Sequence, residues 1–258
     1  MNCKICGNAT SEIFRQTILK KYLVTYFHCP VCGFLQTEHP YWLKEAYQQP
    51  INITDTGILQ RNLLFAQQTA ALIFNFFDAK GNFLDYAGGY GIFTRLMRDF
   101  GFNFFWHDPY AQNIFSRGFE YKNNQTSLEL LTTFESFEHF DEPLKNLERM
   151  LKLSKNILFS TVLLPTPVPE PDSWWYYAPE HGQHISFYSK KTLEYIAQKY
   201  HLTFCTNNKN LHLFSNKKIN CAHLRKTLRK SEKIVKKLKE LQPSLTEVDA
   251  NLLKDEQE

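Results

Sequence analysis

Residues 82–110 read NFLDYAGGYGIFTRLMRDFGFNFFWHDPY. Asn82 to Ala87 predicts a short buried strand and Gly88-Gly89-Tyr90-Gly91 a tight turn. Ile92 to Phe100 predicts a helix with Ile92, Leu96 and Phe100 on one side, and Phe102 to His107 a second strand ending at Asp108. The result is a β-turn-α-β unit with glycines where strand becomes helix and a carboxylate where the next strand stops. Glycines at such a turn let a ligand approach the backbone, and the helix N-terminus offers free N–H groups to an anionic part of it. The carboxylate can accept hydrogen bonds from two ribose hydroxyls.

A glycine-rich turn by itself fits either a dinucleotide or a nucleoside ligand. The dinucleotide fingerprint wants glycine at three places so that a pyrophosphate fits. Here the run is Ala87, Gly89 and Gly91 with Asp85 at its head, and Asp108 lies 17 residues beyond Gly91. This pattern resembles motif I and the end of strand two in class I S-adenosylmethionine-dependent methyltransferases, with Ala87 in place of the first motif glycine. The resemblance spans about Ile58 to Ser215. It implies an α/β, Rossmann-like sheet of seven strands with helices on both faces. It also implies S-adenosylmethionine as cofactor, bound by Asp85, Ala87, Gly88, Gly89, Gly91 and Asp108.

Cys3-x-x-Cys6 and Cys29-x-x-Cys32 are separated by 22 residues, each pair followed by a glycine (Gly7, Gly33). Four thiolates on two knuckle turns close a tetrahedral Zn²⁺ site, and Lys21 to Phe27 between them predicts a strand, so residues 1–40 read as a small structural zinc ribbon. The ribbon lacks a dense basic patch, which favours a clip or cleft wall over a nucleic-acid module. Hydrophobic residues make up 43% of the 258-residue chain and aromatics 15%, enough for a packed core. No apolar run reaches the length of a membrane span and no signal core opens the chain, so the expected location is cytoplasmic. The net charge of +4 is too small to imply nucleic acid.

Residues 41–57 read as a linker, with a short helix over Tyr41 to Gln49 and a cap or turn at Thr54-Asp55-Thr56-Gly57. Gly57 to Phe77 predicts a long helix, on which Arg61 points either to a ligand or to solvent. The methyltransferase domain then runs over residues 58–216. After Asp108 the sequence predicts a helix starting at Pro109, a third strand near Phe119 to Lys122, and a fourth over Leu128 to Phe134. That strand runs into Glu135-Ser136-Phe137-Glu138-His139. At helical spacing Glu135, Glu138 and His139 converge on one side, a plausible site for a hard cation. The ExxEH pattern is similar to that of ubiquinone-pathway O-methyltransferases and small-RNA 2′-O-methyltransferases. That resemblance implies a divalent ion such as Mg²⁺ at Glu135, Glu138, His139 and His184. Two other roles stay open, His139 as a direct base and a purely structural turn.

Lys155 to Leu163 predicts the fifth strand. Alternating prolines then lead to Trp174-Trp175-Tyr176-Tyr177, a substrate wall for a sugar ring or base, or a pad packed on the ribbon. The run WWYY-x-PEHGQHISFYS resembles a branch of bacterial methyltransferases encoded with surface-glycan genes, which implies a sugar or glycan precursor as acceptor. RNA 2′-O-methylation is the rival enzyme reading, and a non-catalytic zinc-ribbon adaptor the rival from another class. Ser189 caps a helix over Lys190 to Tyr200, and strands Leu202 to Thr206 and Leu211 to Phe214 finish the sheet. Residues 217–258 read as a basic amphipathic helix ended by Pro243, available for oligomer or partner contact, and an acidic tail. Lys217 to Leu241 carries net +8 and Gln242 to Glu258 net −4.

Overall fold

The computed structural model describes residues 1–48, 53, 55–122 and 127–255. The elements in chain order are β1 (Ser11–Ile18), β2 (Tyr22–His28), β3 (Leu35–Thr37), α1 (Leu43–Ala46), α2 (Ile58–Phe76), β4 (Asn82–Tyr86), α3 (Ile92–Asp99) and β5 (Asn103–His107). They continue with β6 (Leu128–Thr133), α4 (Pro143–Leu153), β7 (Asn156–Ser160), β8 (Ser186–Phe187), α5 (Lys190–Lys199), β9 (Thr203–Thr206) and β10 (Leu211–Ser215). Three helices close the chain: α6 (Cys221–Arg229), α7 (Ser231–Leu241) and α8 (Thr246–Asp255). Gln49 of the linker helix and Thr54 of the turn lie outside the described residues.

Among the described residues two sheets form, a four-stranded β1-β2-β3-β8 and a six-stranded β5-β4-β6-β7-β10-β9. In the larger sheet β4 pairs in parallel with both β5 and β6, while β9 and β10 are antiparallel. This is the Rossmann-like α/β architecture expected from the sequence, with six strands among the described residues where seven were expected. The missing strand is the one near Phe119 to Lys122, which makes a single bridge from Glu120 to Trp106. The helix expected from Pro109 is absent as well, because local side chains compete for the backbone there. The Asp108 carboxylate accepts the N–H groups of Tyr110 and Ala111, and Asn113 Oδ1 accepts that of Ser116.

One compact unit comprises Ile53–Thr133, Leu153–Ile157 and Ile219–Glu258. The apolar stripe of α2 buries Phe65, Ala66, Ala70 and Ile73, and Phe83 of β4 stacks on Phe104 of β5 at 5.1 Å. The basic segment forms two helices instead of the single one expected, with the break at Lys230, whose φ of −106° and ψ of 9° leave the helical region. Their apolar faces are buried through Leu224, Leu228, Val235 and Leu238, and both helices pack on α2. So the amphipathic face is consumed within the unit. Within the acidic segment Thr246–Asp255 forms α8, whose Asp249 is 3% exposed. Arg98 of α3 grips Asp249 with two bonds of 2.6 and 2.8 Å, donates to the Phe104 carbonyl, and lies over the Phe119 ring. Arg95 adds a contact of 2.8 Å to the same carboxylate.

The other unit comprises Met1–Asn52, Phe134–Lys152 and Leu158–Lys218. Its hairpin β1-β2 is antiparallel, with a bulge between Glu12 and Phe14. β3 joins β2, and the fourth strand, β8, comes from far along the chain through the pairs Leu35 to Phe187 and Gln36 to Ser186. Ile18, Val24, Tyr26, Trp42, Tyr176, Tyr177 and Phe187 form the core beneath this sheet. α5 begins with the expected Ser189 cap, reciprocated by Thr192, whose hydroxyl also donates to the Cys32 carbonyl.

The buried Arg98–Asp249 pair sets a test. Asp249→Ala leaves a guanidinium uncompensated in the core, and breaking such a pair costs about 3–5 kcal/mol. Urea denaturation of the variant should show that loss; a change of only a few tenths would mean that α8 is held by its apolar contacts instead.

Candidate active site

The turn from β4 to α3 is built from left-handed backbone. Ala87, Gly89 and Gly91 have φ of 58°, 54° and 82°. Glycine is free to adopt this region, and alanine there carries a steric cost of about 1–2 kcal/mol. Gly88 is required for another reason: a Cβ on it would lie 2.6 Å from Asp85 Oδ2 and 2.8 Å from the Trp106 ring. One on Gly91 would lie 2.6 Å from Asn113 Oδ1. The turn is thus held close to its neighbours, with no room for a side chain at Gly88 or Gly91.

Two carboxylates frame it. Asp108 Oδ2 accepts the Gly89 N–H at 2.9 Å, while Oδ1 accepts those of Tyr110 and Ala111 at 2.7 and 2.9 Å. Asp85 is buried and accepts the Thr94 hydroxyl at 3.0 Å and the Thr132 hydroxyl at 3.3 Å. Burial pushes its carboxyl up to about 7, against the pull of those hydroxyl groups, and the nearby Asp108 charge adds to the rise. Bare glycine backbone with an ordered acceptor at the end of the next strand suits a nucleoside with a ribose, so the residues present fit S-adenosylmethionine.

The four ribbon cysteines come together as the spacing predicts. Cys3 Sγ lies 3.5 Å from Cys32 Sγ and Cys6 Sγ 3.4 Å from Cys29 Sγ, with all four sulfurs within 4.8 Å of one another. None is in a disulfide. The Cys32 hydrogen bond draws the Cys3 thiol down to about 5, which favours a thiolate. Four sulfurs at this spacing fit the tetrahedral set of a small zinc ribbon.

The polar turn after β6 differs from the helical turn expected. Glu135 has φ 50°, and its carboxylate accepts the Ser160 hydroxyl at 2.5 Å while its own N–H bonds back to that oxygen. A 3₁₀ turn then covers only Phe137–His139. Among the described residues the donor atoms that gather within 4.8 Å belong to Glu138, His139 and His184, without Glu135. The left-handed residue is the reason, since it breaks the i, i+3 register on which convergence depended. Glu138 is 0% exposed, and neither carboxylate oxygen has a hydrogen-bond partner. Burial pushes its carboxyl up to about 8, and the nearby Glu135 charge adds to the rise.

Burial also drives the His139 imidazole down to about 3 and His184 well below its usual range. Both rings are therefore neutral, and a lone His139 is a weak base at neutral pH. His184 Nδ1 donates to the Tyr176 carbonyl at 2.7 Å, and His139 Nδ1 lies 2.9 Å from the Tyr47 hydroxyl. His181 stacks edge-on to His184 with ring centroids 4.9 Å apart.

The four aromatic residues divide. Tyr176 and Tyr177 are buried, with Tyr177 packed edge-on against Phe14, Tyr26 and Phe187 of the ribbon sheet. Trp174 leans on Tyr177 at 4.9 Å, and Trp175 is 76% exposed. Arg61 is held by Asp55 through two bonds of 3.0 and 2.6 Å. Sequence reading missed Tyr47, Ser160 and Thr161 as members of the polar site. Only the position of Ser160 and Thr161 at a strand end, where polar residues follow an apolar run, was there to find them.

The left-handed Ala87 sets a test of the turn. Ala87→Gly removes the steric cost and adds unfolded-chain entropy of about 0.5–1 kcal/mol, so the net effect should be a gain of up to about 1.5 kcal/mol. A lowered melting temperature would show that the Ala87 methyl is needed for packing.

A family model described as a methyltransferase domain matches residues 59–207. No curated protein matches the sequence. Among solved structures, the chain is similar to the plantazolicin methyltransferase BpumL in complex with SAH, at 11% identity and a TM-score of 0.44, covering 67% of this chain and 94% of that one. It is similar to TnmH at 15% identity and a TM-score of 0.47, covering 69% and 62%. For human N-acetylserotonin methyltransferase in complex with SAM the values are 14%, 0.40, 67% and 65%. The chain thus spans just under two thirds of the length of the last two. The family match takes in more than half of the 258 residues, including the glycine turn, the carboxylate after β5 and the polar turn after β6. The chain belongs to the methyltransferase domain family.

Proposed function

We propose that this methyltransferase moves the methyl group of S-adenosylmethionine to a hydroxyl oxygen of a sugar or glycan precursor. The observation that carries the reading is the buried Glu138 carboxyl, without a hydrogen-bond partner, beside two neutral imidazoles. A buried polar group left unpaired is costly, and a hydroxyl-bearing ligand is the kind of partner that would relieve it. In open α/β sheets ligands bind beyond the carboxyl ends of the strands, and the chain passes from β6 to this turn within a few residues.

When bound, S-adenosylmethionine supplies a methyl on a positive sulfur, open to displacement in line with the leaving sulfur. The rest falls to the protein. The backbone of the glycine turn would receive the cofactor, and Asp108, fixed by three N–H groups, would orient the ribose. Glu138, His139 and His184 would hold the acceptor hydroxyl and manage its proton, because a sugar hydroxyl ionises only at high pH. Alignment of nucleophile with methyl supplies much of the remaining acceleration. The exposed Trp175 face is suited to a sugar ring, whereas Tyr176 and Tyr177 are not free to stack. The ribbon would carry one structural Zn²⁺ on Cys3, Cys6, Cys29 and Cys32.

Calorimetry with S-adenosylmethionine should give one site per chain, and Asp108→Ala should weaken it roughly 10- to 100-fold, the scale of charged hydrogen bonds. No binding by the wild type would favour an adaptor with a vestigial fold. Labelled-methyl transfer against nucleotide sugars, phosphorylated sugars and RNA should mark a sugar; transfer to RNA alone would overturn the acceptor assignment. On the accepted sugar, Glu138→Gln should lower kcat by about 10²–10⁴-fold with cofactor affinity unchanged. Cys29→Ser should lose the ribbon zinc, and full occupancy in that variant would refute the four-thiolate site.

A further inference from the structure

We propose that the outer face of α6 and α7 docks on a membrane surface rich in anionic lipid headgroups. Between Ile219 and Leu241 the chain carries eight Lys or Arg against two acids, Glu232 and Glu240. Leu224, Leu228, Val235 and Leu238 are buried, and both helices pack on α2. Burial of that apolar face leaves Lys226, Arg229, Lys230, Lys233, Lys236 and Lys237 exposed on the opposite side. Among the described residues only Lys236 of these six is in an ion pair, with Glu232 at 3.1 Å.

Stability alone does not account for such a row. Like charges four residues apart on a helix repel, and Lys226 with Lys230 and Lys233 with Lys237 stand in that relation. Arg229 and Lys230 close α6, where the helix dipole favours a cation, but Lys233 stands in the first turn of α7, where it does not. The uncompensated charge calls for an anionic partner, and the chemistry of the face selects among polyanions. Single-stranded nucleic acid is held by aromatic side chains on which bases stack, and no Phe, Tyr or Trp occurs from Ile219 to Leu241. Acidic headgroups ask only for a cluster of about four to eight Lys or Arg on an amphipathic helix. Leu241, 70% exposed, extends the row one turn beyond Lys237, an apolar side chain suited to the headgroup boundary. With the main apolar face spent on α2, the contact is electrostatic and peripheral, and no described helix is long and apolar enough to cross a membrane. The surface shares no residue with the glycine turn or the polar turn after β6, so the inference stands apart from the acceptor assignment.

Co-sedimentation of the full chain with lipid vesicles is the test. Phosphatidylcholine vesicles with roughly 30% phosphatidylglycerol should carry the protein down at low salt, and pure phosphatidylcholine should not. Raising the salt to about 0.5 M should release it, because exposed charges are screened. The triple variant Lys226→Gln, Lys233→Gln, Lys237→Gln should bind anionic vesicles roughly 100-fold more weakly. Its melting temperature should equal or exceed that of the wild type, since repulsion is relieved. The charge-keeping triple variant Lys226→Arg, Lys233→Arg, Lys237→Arg should bind as the wild type does. No sedimentation of the wild type with anionic vesicles, equal sedimentation with both kinds, or undiminished binding by the glutamine variant would overturn the proposal. Tighter binding to a single-stranded RNA of mixed sequence than to anionic vesicles would overturn it too, and would assign the row to nucleic acid.

Discussion

The polar site depends on a backbone bond made by a residue with no chemistry of its own. The Ile185 N–H donates to the Glu138 carbonyl at 2.9 Å, and the Ile185 carbonyl accepts the Thr37 N–H at 3.1 Å. One residue therefore links the ribbon strand β3 to the 3₁₀ turn. Ser186 donates to the Phe140 carbonyl and Tyr188 to that of Phe137, so the whole turn hangs on the strand that completes the ribbon sheet. With His184 the residue just before Ile185, register along β8 decides whether an imidazole faces the carboxyl. A slip of one residue would send it to the other side. The ribbon is thus part of how the site is shaped, since its sheet fixes the segment that carries His184.

The same economy runs through the cofactor turn. Asp108 accepts the N–H of Gly89 from the turn after β4 and two more from the turn after β5. A single carboxylate ties two loops together and is held rigid in return, which lowers the entropy lost when it meets a ligand. The glycines are the other half of the arrangement. Left-handed backbone at three positions points the turn away from a regular helix start, and Ala87 tolerates it because the surrounding bonds over-determine the conformation.

Much of this was legible in the chain. Residues 82–110 give strand, turn, helix and strand nearly as written, because alternating apolar residues and paired glycines are local signals. The cysteine spacing gives the ribbon. What failed was non-local or was decided by a single dihedral. β8 is two residues long and exists only because β3 offers an edge, so no periodicity marks it. The expected helix after Asp108 lost to side-chain bonds with the backbone that its sequence also permits. Glu135 shares the spacing of a helical turn but sits at φ 50°, and spacing cannot reveal that. Tyr47, in the linker, touches His139 across a long stretch of chain and carries no motif.

Two buried acids show why burial alone does not identify a site. Asp249 and Glu138 are both almost wholly withdrawn from water. Asp249 meets two guanidinium groups and has its charge compensated on the spot, so its burial is explained by the docking of α8. Glu138 meets neutral imidazoles and tyrosine rings, with no cation among the described residues bonded to either oxygen. Folding gains nothing by enclosing a carboxyl in that way; a hydrophobic side chain of similar volume would fill the space at lower cost. A ligand hydroxyl of the kind proposed above would offset that cost by completing its hydrogen bonding. In the sequence Glu138 belongs to the ExxEH turn and Asp249 to an acidic tail, and only the fold decides what faces each carboxyl.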